Sequence, residues 1–207
     1  MVVLGAYLLG SIPFGYIMAK AKGIDIRSVG SGNIGATNAM RVLGKPAGIF
    51  VLLMDALKGF AAANWLPLLV VNFSGASDVG IPTLQIIAGI AAVLGHNYTC
   101  WLKFKGGKGI ATTAGVYLAL APWALLIAFA VFLLAVVVTR YVSVGSISGA
   151  VAVVVAVWVM APQNLLLCIV TTALGALAIY KHKTNIQRLI AGTENRFGQK
   201  KSPETTK

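Results

Sequence analysis

The stretch Ile110-Ala-Thr-Thr-Ala-Gly-Val-Tyr-Leu-Ala-Leu-Ala-Pro122-Trp-Ala-Leu-Leu-Ile-Ala-Phe-Ala-Val-Phe-Leu-Leu-Ala-Val-Val-Val-Thr139 contains no charged residue. As one helix it would run about 45 Å, well beyond the roughly 30 Å of a bilayer's hydrocarbon core. Pro122 lies near its middle. Proline lacks the N–H that a helix interior needs and clashes with the preceding turn, so it can end one helix and begin the next. Charge decides how the stretch is read. A single crossing would leave Arg140, Lys181, Lys183 and Arg188 outside the cell. Two crossings, turning near Pro122, place all four on the cytoplasmic side, where Lys and Arg collect in membrane proteins.

The other apolar segments are 2–19, 47–71, 82–98, 144–160 and 165–180. With the divided stretch they give an all-α integral membrane protein of seven transmembrane helices, N-terminus outside and C-terminus cytoplasmic. Segment 110–121 is short for a full span and reads as a half-helix buried among its neighbours. The outer connections are then 72–81, the turn at Pro122 and 161–164, and their one charge is Asp78. Segment 2–19 is not a signal peptide, because no basic region precedes it and Lys20 and Lys22 follow it. Of the 207 residues, 58% are hydrophobic and 11% charged, against about 25% charged in soluble domains. The net charge of +12 would suggest nucleic acid in a soluble protein. Here basic cytoplasmic loops account for most of it and anionic lipids or substrates for the rest, and no nucleic-acid partner is expected. Cys100 and Cys168 have no motif spacing, so neither a disulfide nor a metal site is expected. Residues 1–197 read as one membrane domain and 198–207 as a polar tail.

Three polar, glycine-rich stretches fall on the cytoplasmic side. The first includes Ser28-Val-Gly-Ser-Gly-Asn-Ile-Gly-Ala-Thr-Asn-Ala-Met-Arg41. Glycines let successive N–H groups turn toward one anion. Gly30, Gly32 and Gly35 supply that freedom, and Ser31, Asn33, Thr37, Asn38 and Arg41 supply side-chain donors. Gly30, Gly32 and Gly35 also mimic the dinucleotide fingerprint, with Asp55 further on. That fingerprint needs a βαβ unit, and apolar helices flank it here. Asp55 lies one helical turn from Lys58, which suits a structural ion pair near the membrane boundary.

The second stretch runs from Gly95-His96 to Phe104-Lys-Gly-Gly-Lys108-Gly-Ile-Ala-Thr-Thr113. Lys108, set among Gly106, Gly107 and Gly109 at the start of a helix, suits a phosphate at a helix N-terminus. It is not a Walker loop, because Gly109 stands where Ser or Thr is required. Lys103, Lys105 and Lys108 also fit a plain basic membrane-surface cluster. The third stretch is His182-Lys-Thr-Asn-Ile-Gln-Arg188-Leu-Ile-Ala-Gly-Thr-Glu194. His182 and Asn185, a turn apart, can face one site, although a lone histidine at a membrane boundary is more often structural. Glu194 can serve as a base, or can pair with Arg41 or Arg188 and hold the loops together. Ser143 and Ser146 begin a helix on the same side, where serine often caps.

These words resemble the signature motifs of the acyl-phosphate-dependent glycerol-3-phosphate acyltransferases of bacteria, the PlsY family. The matching residues are Gly-Ser-Gly-Asn-Ile-Gly-Ala-Thr-Asn with Arg41, then Gly-His with Phe-Lys-Gly-Gly-Lys-Gly-Ile-Ala-Thr, then His-x-x-Asn-Ile with Arg-Leu and Gly-Thr-Glu. The likeness runs from the first helix to Glu194. One departure is visible: a proline usual after Gly-His is absent. The resemblance implies acyl phosphate as donor, glycerol 3-phosphate as acceptor, lysophosphatidic acid as product, and no metal, cofactor or thioester donor. It implies catalytic roles for Ser31, Arg41, Lys108, His182 and Asn185. Substrate binding would fall to Gly30, Gly32, Asn33, Gly35, Thr37, Asn38, Lys105, Gly106, Gly107, Gly109, Ser143, Ser146 and Glu194. A bacterial inner-membrane location follows, with coupling to the enzyme that makes acyl phosphate.

Two dianionic substrates need cations, and Arg27, Arg41, Lys45, Lys103, Lys105, Lys108, Lys183 and Arg188 lie in or beside the motifs. No histidine is followed five residues later by an aspartate. The expected proton acceptor is therefore a phosphate oxygen of the donor, with His182 as the rival. An organic-phosphate transporter is the alternative reading. It would place polar residues at the membrane midplane in repeated halves, a pattern this chain lacks.

Overall fold

The computed structural model describes residues 1–74 and 80–198. Asp78 and the tail from residue 199 onward lie outside the described residues. Every helix or turn among the described residues is helical in kind, with no strand. The order is α1 (Val2–Ser11), α2 (Phe14–Lys20), α3 (Ala36–Leu43), α4 (Lys45–Phe60), α5 (Leu66–Ser74), α6 (Ile81–Asn97), α7 (Ile110–Leu120), α8 (Pro122–Thr139), α9 (Val142–Met160), α10 (Leu165–Lys181) and α11 (Lys183–Ile190). A π-helical turn, Ala61–Trp65, joins α4 to α5. Four helical segments are long and apolar enough to cross a membrane, and five if the α10–α11 pair, bent by 52°, counts as one. Among the described residues the chain is thus all-helical, with the apolar spans of an integral membrane protein.

Pro122 does what its chemistry dictates. Helix α7 ends at Leu120, Ala121 leaves helical geometry, and α8 starts with the proline in its first turn. The eleven residues of α7 are indeed a short apolar helix. The first apolar segment, expected to be continuous, is broken at Ile12 and Pro13. A break frees backbone carbonyls that lipid cannot satisfy. Lys58 Nζ donates to the Ile12 carbonyl at 2.7 Å, and Thr99 Oγ1 donates to the Ser11 carbonyl at 2.7 Å.

The spans pair α1 with α6, α4 with α7, and α8 with α9. Between apolar helices in lipid, close packing rather than water exclusion drives association, so small residues line the contacts. A Cβ on Gly115 would overlap the Ala56 carbonyl, and one on Gly59 would overlap the Thr112 carbonyl. The main core gathers Val116, Tyr117, Val153, Val157, Leu167 and Leu174 from α7, α9 and α10. Short amphipathic α3 and α11 carry parts of the first and third polar stretches, and the second lies between α6 and α7.

Candidate active site

The first glycine-rich stretch folds around Asn38. Its amide accepts from the Ser31 N–H at 2.9 Å and donates to the carbonyls of Asn33 (2.9 Å), Val29 (3.1 Å) and Ile26 (3.3 Å). Asn38 is 1% exposed. It therefore shapes the loop, and the donor role expected of it toward a ligand is corrected. Gly30 and Gly32 adopt positive φ, +65° and +71°. A Cβ on Gly30 would overlap the Asn38 amide. The Gly32 N–H is taken by the Val29 carbonyl, and the Gly35 N–H by Asn33 Oδ1. The loop is thus held largely by its own hydrogen bonds, and it presents Ser31, Gly32 and Asn33 to a cavity of about 340 Å³.

The opposite wall of that cavity is the second stretch. Gly106 N–H donates to the Asn97 carbonyl (3.2 Å) and Gly107 N–H to the His96 carbonyl (3.0 Å), so the loop is docked on the end of α6. Neither N–H is free for a ligand, contrary to a cradle built from every glycine. Gly106, Gly107 and Lys108 line the cavity. Gly109, at φ +81°, opens α7. Lys108 Nζ donates to Asn185 Oδ1.

The third stretch closes the site through Glu194. Its carboxylate accepts from Ser143 Oγ (3.0 Å), Asn185 Nδ2 (2.7 Å) and Arg188 Nε (2.7 Å). Burial, the largest single influence, pushes the Glu194 pKa up; the three hydrogen bonds and the Arg188 charge outweigh it and hold the carboxyl below its usual range. Of the two partners expected for Glu194, Arg188 makes the contact. Arg41 sits near enough to interact electrostatically with both Glu194 and Arg188. Burial lowers the Lys108 pKa to about 8, with Glu194 opposing the shift and Arg188 and Arg41 adding to it. His182 is buried, and its Nδ1 lies 2.7 Å from the Ala178 carbonyl. Burial first, and the Lys108 charge second, bring its pKa down to about 4.

One constellation therefore unites Lys108, His182, Asn185, Arg188, Glu194 and Ser143 from distant parts of the chain. Arg41 is exposed and outside the cavity lining, and it adds only its charge. Lys183 and Arg188 line the cavity with Lys108. Other expectations fare differently. Arg27 is paired with Asp25 at 2.6 Å. Lys45, Lys103 and Lys105 are exposed and do not line the cavity. Thr37 is likewise exposed and outside the lining. The Ser146 hydroxyl bonds back to the Val142 carbonyl one turn earlier, and neither Ser143 nor Ser146 caps α9. Tyr98, Tyr180, Lys181 and Thr184 complete the lining without having been singled out. Lys181 Nζ donates to the Asn97 carbonyl at 3.0 Å and stands 4.2 Å from the Tyr98 ring centre. The available signal was the basic residue ending an apolar helix beside the third motif.

Comparison with known proteins adds an independent line. A family model described as glycerol-3-phosphate acyltransferase matches residues 1–192. A glycerol-3-phosphate acyltransferase of Desulforamulus reducens is 48% identical over 204 residues, 98% of this chain and 96% of the relative. One from Geobacter metallireducens is 50% identical over 197 residues, 95% and 96% of the two chains. The crystal structure of PlsY, an integral membrane glycerol 3-phosphate acyltransferase, in its glycerol 3-phosphate form superposes with a TM-score of 0.85 at 43% identity, covering 95% of this chain and 94% of that one. Its lysophosphatidic acid form gives 0.81 at 42% identity, with the same coverage.

Proposed function

The chain belongs to the glycerol-3-phosphate acyltransferase family, and from that premise we propose that it takes its acyl group from acyl phosphate at the cavity around Lys108. The enzyme is a glycerol-3-phosphate acyltransferase of phospholipid synthesis; the donor and the chemistry are the proposal. The observation that carries it is the charge of the cavity. Lys108, Lys181, Lys183 and Arg188 line it, against one neighbouring acid, Glu194, which is paired with Arg188. The three lysines are left in excess, and such a site suits phosphate anions.

The reaction joins a glycerol hydroxyl oxygen to the acyl carbonyl carbon and breaks the bond from that carbon to the phosphate oxygen. The hydroxyl proton passes to a phosphate oxygen of the donor, and inorganic phosphate leaves. His182 fits the role of base poorly. With a pKa near 4, its protonated form is disfavoured beside Lys108, whereas an effective base has a pKa near the working pH. Lys108 and Arg41 balance the charge on the leaving phosphate. Ser31, Asn33 and Thr184 supply neutral donors at the rim. Proximity of two bound anions then does most of the remaining work.

In this reading the seven apolar segments cross a bacterial inner membrane with the N-terminus outside, and the cavity opens to the cytoplasm. The acyl chain stays in lipid and glycerol 3-phosphate arrives from water. An enzyme that makes acyl phosphate must supply the donor. Purified protein in detergent, given labelled glycerol 3-phosphate, is expected to make labelled lysophosphatidic acid with acyl phosphate and none with an acyl thioester. Turnover of the thioester at equal rate contradicts the donor assignment. Uptake into sealed vesicles without lipid formation would restore the transporter reading.

A further inference from the structure

Beneath the glycine loop lies a buried charged cluster that the reaction does not use. Asp55, Lys58 and His96 are 2%, 3% and 4% exposed. Asp55 Oδ1 lies 2.8 Å from Lys58 Nζ and 3.5 Å from His96 Nδ1. Ionisable groups inside a membrane bundle persist only when paired, and they are usually functional. Lys58 alone would neutralise Asp55, so neutralisation does not explain why the carboxylate also reaches α6. The second contact explains itself at the other edge of the imidazole. A Cβ on Gly107 would overlap His96 Nε2. The ring therefore lies directly against the backbone of the residue before Lys108. The same segment is docked by the Gly107 N–H on the His96 carbonyl and by Gly109 over the Asn97 amide, where a Cβ would come within 2.7 Å of Oδ1.

We propose that Asp55 and His96 form a positioning pair that fixes the path of Gly106–Gly109 and so aims Lys108 into the cavity. Asp55 sets the ring, the ring sets Gly107, and Gly107 sets Lys108. Lys58 ties the pair to the break in the first span through the Ile12 carbonyl. Gly107 is then required by His96 rather than by the approach of a phosphate to its backbone. This inference rests on Lys108 being a phosphate ligand.

A double-mutant cycle in purified protein reads the contact directly. Gly107→Ala is expected to raise KM for glycerol 3-phosphate about tenfold or more, as small misplacements at a reacting site do, and to lower Tm. In a His96→Ala background the same change should add less than about twofold to KM and no further fall in Tm, since contacting residues couple and independent ones add. His96→Ala alone should raise KM with kcat held within about threefold. Asp55→Asn should raise KM alike and add nothing to KM on top of His96→Ala, while lowering Tm in both backgrounds because Lys58 loses its partner. Should His96→Ala not fold, His96→Ser opens the same space and carries the cycle. Equal Gly107→Ala penalties in both backgrounds overturn the proposal, as does a wild-type KM in the folded His96 variant. Lys108→Ala run alongside separates the layers. A wild-type KM there contradicts the phosphate-site reading itself. A raised KM there with a wild-type KM in the His96 variant contradicts the positioning role alone.

Discussion

Lys108 is a half-buried cation on the cavity wall. Burial depresses its pKa to about 8, so it is cationic below that pH and neutral above it. A phosphate dianion favours the cation. In the free enzyme, kcat/KM for glycerol 3-phosphate should therefore hold through neutral pH and fall as pH rises past about 8. Lys108→Ala should remove that limb and cost about ten- to a hundredfold at pH 7, the worth of one charge-assisted contact. A limb that survives in Lys108→Ala assigns it elsewhere. His182 answers the proton question. Its neutral ring, hydrogen-bonded to the Ala178 carbonyl at the junction of α10 and α11, reads as a polar, uncharged contact beside Lys108. His182→Gln keeps hydrogen-bonding capacity without basicity, so it should retain more than a few per cent of activity, with His182→Ala losing more. A general base is worth about 10²–10⁴-fold; a thousandfold loss in folded His182→Gln, with loss of a limb near neutral pH, would make His182 the base. Residue identity alone exposed Lys108 and Arg188 because charge in a glycine-rich loop is visible in any context. It did not show that Asn38 faces inward or that Arg27 is neutralised, since both depend on how the loop closes.

At the scale of the helix, proline was legible where its effect is local. Pro122 divides α7 from α8 because its ring lacks the N–H and clashes with the preceding turn, and Ala121 before it leaves helical geometry. Pro13 was not, because a broken span survives in lipid only with partners for its carbonyls. Those partners, Lys58 and Thr99, come from α4 and from the loop after α6. The glycines inside the spans are a second tertiary feature. Gly115 and Gly59 meet the opposing backbones of α4 and α7 with no room for a Cβ. Gly149 on α9 has more space, its Cβ reaching 3.2 Å from the Ala128 carbonyl. Gly115→Ala should thus cost about 1–3 kcal/mol in overpacking, seen as a lower Tm in detergent, and Gly149→Ala distinctly less. Equal effects would mean that α4 and α7 are free to separate.

Across the whole molecule, three stretches separated by apolar spans converge on one cavity at one end of a helical bundle. The family resemblance made that convergence readable from the sequence. The Glu194–Arg188 pair was readable as one of two alternatives. The further contacts of Glu194 to Ser143 and Asn185, and the wall from Tyr180 to Thr184, were not, because they depend on how α11 turns from α10, by 52°. The central claim is that Ser31 of the first stretch and Thr184 of the third face one substrate on the cytoplasmic side. Single cysteines placed by Ser31→Cys and Thr184→Cys, with Cys100 and Cys168 replaced, allow an impermeant thiol reagent to report this in sealed vesicles of known orientation. Both cysteines should react only from the cytoplasmic side, and glycerol 3-phosphate should slow both reactions. Labelling from opposite sides, or protection of neither position by glycerol 3-phosphate, would contradict the account.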